Sequence, residues 1–244
     1  MHPVPPDPTA GRLRPADARD PAEHVVPGDV HLARRLAIGG LAGVLVSTVM
    51  IGWMHVAMPG RELDPMSRTI SEYALLDSGW VFDVGVLVLA AASAMVLVAM
   101  ILRELVPARS VASVATAVWC IGLIGLIVFP KQGFGPDTTL AGRIHWTWTL
   151  IAFFSLPIGL LLACRRRTRG PHGRWPRVAL ALAWVSAGWF GVLALQTLLS
   201  ALTPRAWNLV GFVERALAVT EMVAVVVLAC WVLASCRPAR LPAD

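Results

Sequence analysis

His55, Asp83, His145, Glu214, Arg215 and Glu221 stand inside stretches that are otherwise almost wholly apolar. An ionised group in hydrocarbon costs several kcal/mol unless it is paired, protonated or wet. Glu214 and Glu221 are seven residues apart, two helical turns, so on a helix they project from one face. Such a set suits acid/base chemistry: Glu221 as general acid, Glu214 beside it, His145 or His55 as base, and Asp83 or Asp137 as the orienting carboxylate. His55, His145 and Asp137 are also the ligands a divalent metal would take, although the sequence has neither HExxH nor HxxxH spacing. A Ser71–His145–Asp137 acyl-transfer triad can be drawn, without the sequence signature of a nucleophile elbow.

A second concentration of polar groups is DPMSRTISEYALLDSGW, Asp64 to Trp80. Asp64-Pro65 resembles a helix start, and Thr69 to Glu72 (TISE) fits the capping-box pattern. Either start predicts a short helix lying on a membrane surface. It would place Ser67 and Ser71 on one face, with Arg68 in reach of Glu72. Ser71 and Glu72 join the candidate catalytic groups. Ser67, Arg68 and Tyr73, with Arg215 and Gln196 from later segments, are candidates for substrate binding.

The elements that must position these residues follow from hydropathy. The 244-residue chain is 57% hydrophobic and 15% charged, with mean hydropathy +0.67, too few charges to cover a water-exposed surface. Six apolar runs approach the roughly 20 residues needed to cross a bilayer. They are Leu36–Met58, Trp80–Leu102, Val111–Pro130, Ile144–Cys164, Val178–Leu202 and Val210–Leu233. The fold expected is an all-α polytopic membrane bundle of six transmembrane helices plus a short interfacial helix. Residues 1–33, rich in Pro, Asp and Arg, read as a disordered cytoplasmic tail, 34–236 as the transmembrane domain, and 237–244 as a second cytoplasmic tail. The sixth run crosses only if it carries Glu214, Arg215 and Glu221 into the membrane.

The net charge is +6, and every basic residue but Lys131 is an arginine. Arginines gather at the ends of the runs, most densely in RRRTRGPHGRWPR, which points to anionic lipid and not to nucleic acid. Their asymmetry favours both termini in the cytoplasm of a plasma-membrane protein. Trp53, Trp80, Trp146, Trp148 and Trp207 then fall at the outer interface. Every ionisable group within the runs lies in the outer half or near the midplane, which predicts a polar cavity opening outward. The four cysteines show no CxxC spacing. Glycine-rich faces in spans one and three (Gly39, Gly40, Gly43, Gly122 and Gly125) would allow close helix contacts, including an oligomer.

LDPMSRTISEYA followed by GW, then FP…PDTTLAGRIH, then GFVERALAVTE, resembles a bacterial family of six-span membrane proteins known as domain of unknown function 998. The likeness covers most of residues 36–235. It maps Ser67, Ser71, Glu72 and Tyr73 onto the family's first element, Asp137 and His145 onto its loop acid and histidine, and Glu214 and Glu221 onto its late acids. The insertion KQGFGP before Asp137 departs from the family pattern. The resemblance implies membrane residence and six spans, and no reaction.

Three functions compete. One is a membrane-embedded enzyme acting on a lipid or isoprenoid-like substrate from the outer leaflet by acid/base or metal-assisted chemistry. Another is a small proton-coupled transporter in which Glu214 and Glu221 bind the proton. The third is a non-catalytic lipid-binding accessory protein. Membrane lipids are the partners common to all three.

Overall fold

The computed structural model describes residues 27–57, 60–134, 139–165, 167–169, 173–202 and 208–237. They form six long helices: α1 Pro27–Met54, α2 Gly79–Leu102, α3 Val111–Val128, α4 Leu140–Cys164, α5 Arg174–Leu202 and α6 Val210–Ser235. All six are long and apolar enough to cross a membrane, and the chain is a multi-pass membrane protein. The sixth run does carry its three charged residues into a 26-residue helix.

Consecutive helices pack side by side and α6 closes on α1, making a ring. α6 also touches α2 and α4 and so runs nearest the centre. Its buried face includes Val213, Leu217, Glu221 and Leu228. By contrast α1 and α5 turn large apolar side chains outward, among them Leu45, Val49, Trp184 and Leu195. Such faces suit the apolar interior of a membrane.

Close helix approach is made by small residues. A Cβ on Gly40 would come within 2.5 Å of the Val96 side chain, and one on Gly43 within 2.8 Å of Ala92. Gly122 faces Ala152, and Gly159 faces Thr116, equally tightly. The glycine faces of spans one and three are thus occupied inside the monomer, against α2 and α4.

Two departures from the sequence expectation bear on the site and on the reach of the first helix. α1 starts at Pro27, inside the segment expected to be a disordered tail; residues 1–26 lie outside the described residues. Pro is favoured at a first helical position, and Asp29 in the first turn complements the helix dipole. Ala33 is fully buried, so this extra length packs.

The second difference concerns the link between α1 and α2. Instead of an α-helix on the surface, Ile70–Leu75 forms a 3₁₀ helix whose Ile70, Ser71, Glu72 and Tyr73 are buried. It is a plug seated against α2 and α6. The capping box does not form. The Thr69 side chain makes no cap bond; it meets Ser71 Oγ at 3.1 Å and accepts from Lys131 Nζ at 3.4 Å. Asp64 closes a tight turn instead, accepting from Met66 N–H and from the Ser67 hydroxyl. The Ser67 bond is the main reason its carboxyl sits below the usual range.

Candidate functional site

The plug is held by two cations. The first turn of a helix leaves N–H groups without partners, and in α6 these are met from outside it. Phe212 N–H donates to Met66 O (3.1 Å) and Val210 N–H to Asn208 Oδ1 (3.3 Å). Gly211 makes this approach feasible, since any Cβ there would overlap the backbone of Arg68. One turn on, Arg215 spreads its guanidinium over the same segment. It donates to the carbonyls of Pro65, Arg68 and Gly211, to Tyr73 Oη at 3.3 Å, and to His55 Nε2 at 3.0 Å.

His55 stands just past the end of α1. Its Nδ1 faces the Ile51 carbonyl at 2.9 Å, which can only accept, so Nδ1 carries the proton and Nε2 accepts from Arg215. The ring is neutral in this arrangement. Burial lowers its pKa, the bond to Ile51 opposes this, and the charge of Arg215 lowers it further. Tyr73 packs edge-on to the ring at 4.9 Å.

Lys131, the chain's single lysine, is the second clamp. It is buried, 3.7 Å from Glu72 Oε1, while Arg68 reaches the same oxygen only at 4.0 Å from a more exposed position. This pair joins the α3–α4 connection to the plug. His145, buried in the second turn of α4, donates from Nδ1 to Phe129 O at 2.8 Å and joins the same connection.

Beneath the plug the helices part around a cavity of about 280 Å³. Its sides are aliphatic and aromatic, contributed by α1, α2, α3, α4 and α6. Two threonines line it, but Thr48 and Thr149 donate their hydroxyls to Val44 O and His145 O of their own helices. The polar groups collect at the roof: His55, Ser71, Glu214 and Arg215. The lining residues that are exposed, Thr48 and Gly52 of α1 and Val219 of α6, place the cavity's mouth between those helices. It opens sideways, towards lipid.

A smaller cavity of about 30 Å³ adjoins it and shares Ser71, Thr149, Phe153 and Glu214. Thr69, Lys131 and His145 complete its polar lining. Glu214 therefore stands on the partition, with Oε2 accepting from Ile70 N–H at 3.0 Å. A chamber of this size and polarity fits one water.

The chain matches, over residues 37–231, the family described as Protein of unknown function (DUF998). It belongs to that family. No curated protein and no solved structure matches the chain.

The structure brings Ser71, His145 and Glu214 together around the small cavity, with Arg215 and His55 at the roof of the large one. Glu72, Tyr73 and Arg68 belong to the clamps. Ser67 lies outside both cavities, bonded to Asp64. Gln196 meets Asn208 at the start of α6, at 3.3 Å. Asp83 is half-buried on α2 and lines neither cavity. Glu221 is fully buried, with neither carboxyl oxygen hydrogen-bonded among the described residues, and also lines neither. Asp137 lies outside the described residues. Among those described, no three His, Cys, Asp or Glu side chains converge as a metal site, and His55 and His145 face different cavities. Lys131 is the contributor that sequence reading overlooked. A lone lysine in an arginine-only chain, next to Phe-Pro, was the available signal.

Proposed function

We propose that this protein takes one chain of a lipid or isoprenoid-like molecule from the outer leaflet of the plasma membrane and performs acid/base chemistry on its polar end. The capped end faces outward and both termini are cytoplasmic. The orientation is supported by the arginines at the uncapped end, such as Arg34, Arg35, Arg103, Arg165 and Arg177.

The observation that carries the reading is the shape and polarity of the large cavity: apolar walls, a polar roof and a mouth between two lipid-facing helices. Water has little reason to fill such walls, whereas an amphiphile satisfies both ends. Beside the roof, in the smaller chamber, His145 donates from Nδ1 to the Phe129 carbonyl and lines the same space as Ser71 and Glu214. Glu214 on the partition can pass a proton between the two chambers. Binding alone would not call for this second chamber.

Comparing membrane lipids from cells carrying the wild type, Glu214→Gln or no protein tests the proposal. One lipid class should change in abundance with the wild type and revert with Glu214→Gln. Identical lipid profiles in all three would remove the catalytic part of the reading.

A proton-coupled carrier is favoured by one observation, the buried Glu221 with no hydrogen bond to either oxygen among the described residues. In proteoliposomes that reading requires proton flux that Glu221→Gln abolishes.

A further inference from the structure

We infer that Trp119 is a ruler at the floor of the large cavity and that the molecule bound there is a single-chain amphiphile, or one chain of a larger lipid, cut off in depth at roughly nine carbons. This rests on the lipid-binding reading above and adds the length of the chain.

At the floor the deepest lining residues are Thr48 of α1, Leu89 of α2, Trp119 of α3 and Met222 of α6. On α6 the lining runs from Glu214 at the roof to Met222, eight residues deeper or about 12 Å. On α1 it runs from His55 down to Thr48, seven residues, and stops at a similar depth. Trp119 lies across this level. It is 1% exposed, and its Nε1–H donates to the buried Ser93 Oγ of α2 at 3.1 Å, which fixes the indole plane. A rigid aromatic plate held by a hydrogen bond stops a chain where flexible Leu or Met side chains would yield.

Volume sets the length independently. About 280 Å³ holds roughly nine groups the size of a water or a methylene. Two chains do not fit side by side in that space. The remainder of a longer chain, or the second chain of a diacyl lipid, leaves through the gap beside Gly52, where a Cβ would meet nothing within 4 Å.

The test uses the full chain in phosphatidylcholine nanodiscs with fatty acids of 8, 10, 12 and 16 carbons carrying a terminal diazirine. Cross-linked residues are read by peptide mass spectrometry. In the wild type the 8- and 10-carbon probes should label the floor around Trp119 and Met222, at least threefold more than the 16-carbon probe does. The 16-carbon probe should label the mouth near Gly52 and Val219. Trp119→Ala should bring the 12-carbon probe to newly exposed residues below the floor. Met222→Trp, which raises the floor from α6 without touching Trp119, should shift floor labelling from 10 carbons to 8. Floor labelling that is the same for all lengths and unchanged in both variants overturns the ruler and leaves lipid binding standing. No labelling of any cavity residue by any probe overturns both.

Discussion

At the uncapped end, α1 and α2 meet almost backbone to backbone at Gly40 and Gly43, and α3 and α4 do so at Gly159. At the capped end the same helices part around a cavity of about 280 Å³ and are tied by side-chain hydrogen bonds from Arg215 and Lys131. The uncapped half is held by dispersion and shape, which no proton or ligand can easily undo. The capped half is held by charge-assisted bonds around a roof that contains a titratable histidine. On the proposed function, permanence belongs to one end and the capacity to open, bind and react to the other.

Removing a clamp should break the capped half most. Arg215→Met deletes the bonds to three carbonyls, Tyr73 and His55, and should cost about 3–5 kcal/mol. Thermal denaturation in detergent would read this, together with new protease cleavage within residues 60–78. A cost below 1 kcal/mol, with the plug still protected, would mean that packing alone seats it.

Overpacking should break the uncapped half instead. Gly40→Val drives a side chain into Val96 and should cost about 1–3 kcal/mol, with the plug still resistant to protease. Gly52→Ala is the matched control at the mouth. Nothing lies within 4 Å of its Cβ, so it should stabilise α1 by about 0.5–1 kcal/mol. An unfolding midpoint lowered by Gly52→Ala would show that the mouth is closed by contact.

The smallest effect should be the dependence on pH. Because His55 has a folded pKa below its ordinary 6.5, the unfolded chain takes up that proton first. Its contribution is complete above about pH 6.5 and falls as pH drops from there towards the lowered folded value. The protonated ring also cannot accept from Arg215. Plug protection from protease should therefore weaken between neutral and mildly acid pH, and His55→Gln should flatten that slope. An equal slope in the variant would assign the effect to another group.

The membrane helices were legible because each depends on its own local apolar length. Even the sixth was readable as a candidate despite its three charges. The plug was misread because what buries it comes from far away in sequence: Lys131 pairs with Glu72, and Arg215 and Glu214 reach back to residues 65–73. Local patterns at Thr69–Glu72 promised a capping box, and the Thr69 hydroxyl was taken by Lys131 and Ser71. The two late acids show a subtler limit. Seven residues put them on nearly one face, but an α-helix drifts by about 20° per heptad. Glu214 sits at the edge of the arc that also presents Ala218 and Met222 to the cavity, and Glu221 falls just beyond it. No periodicity reports where six helices diverge, so the cavity itself was visible only as a hint in the depths of its polar groups.

A structure of the protein crystallised from a lipid mesophase would test the central claim most directly. The account predicts one elongated density running from the roof at Ser71 and Arg215 to Trp119 and leaving between α1 and α6. A cavity closed by inward rotation of Phe82 and Phe153, with α1 and α6 in contact at Gly52, would contradict it.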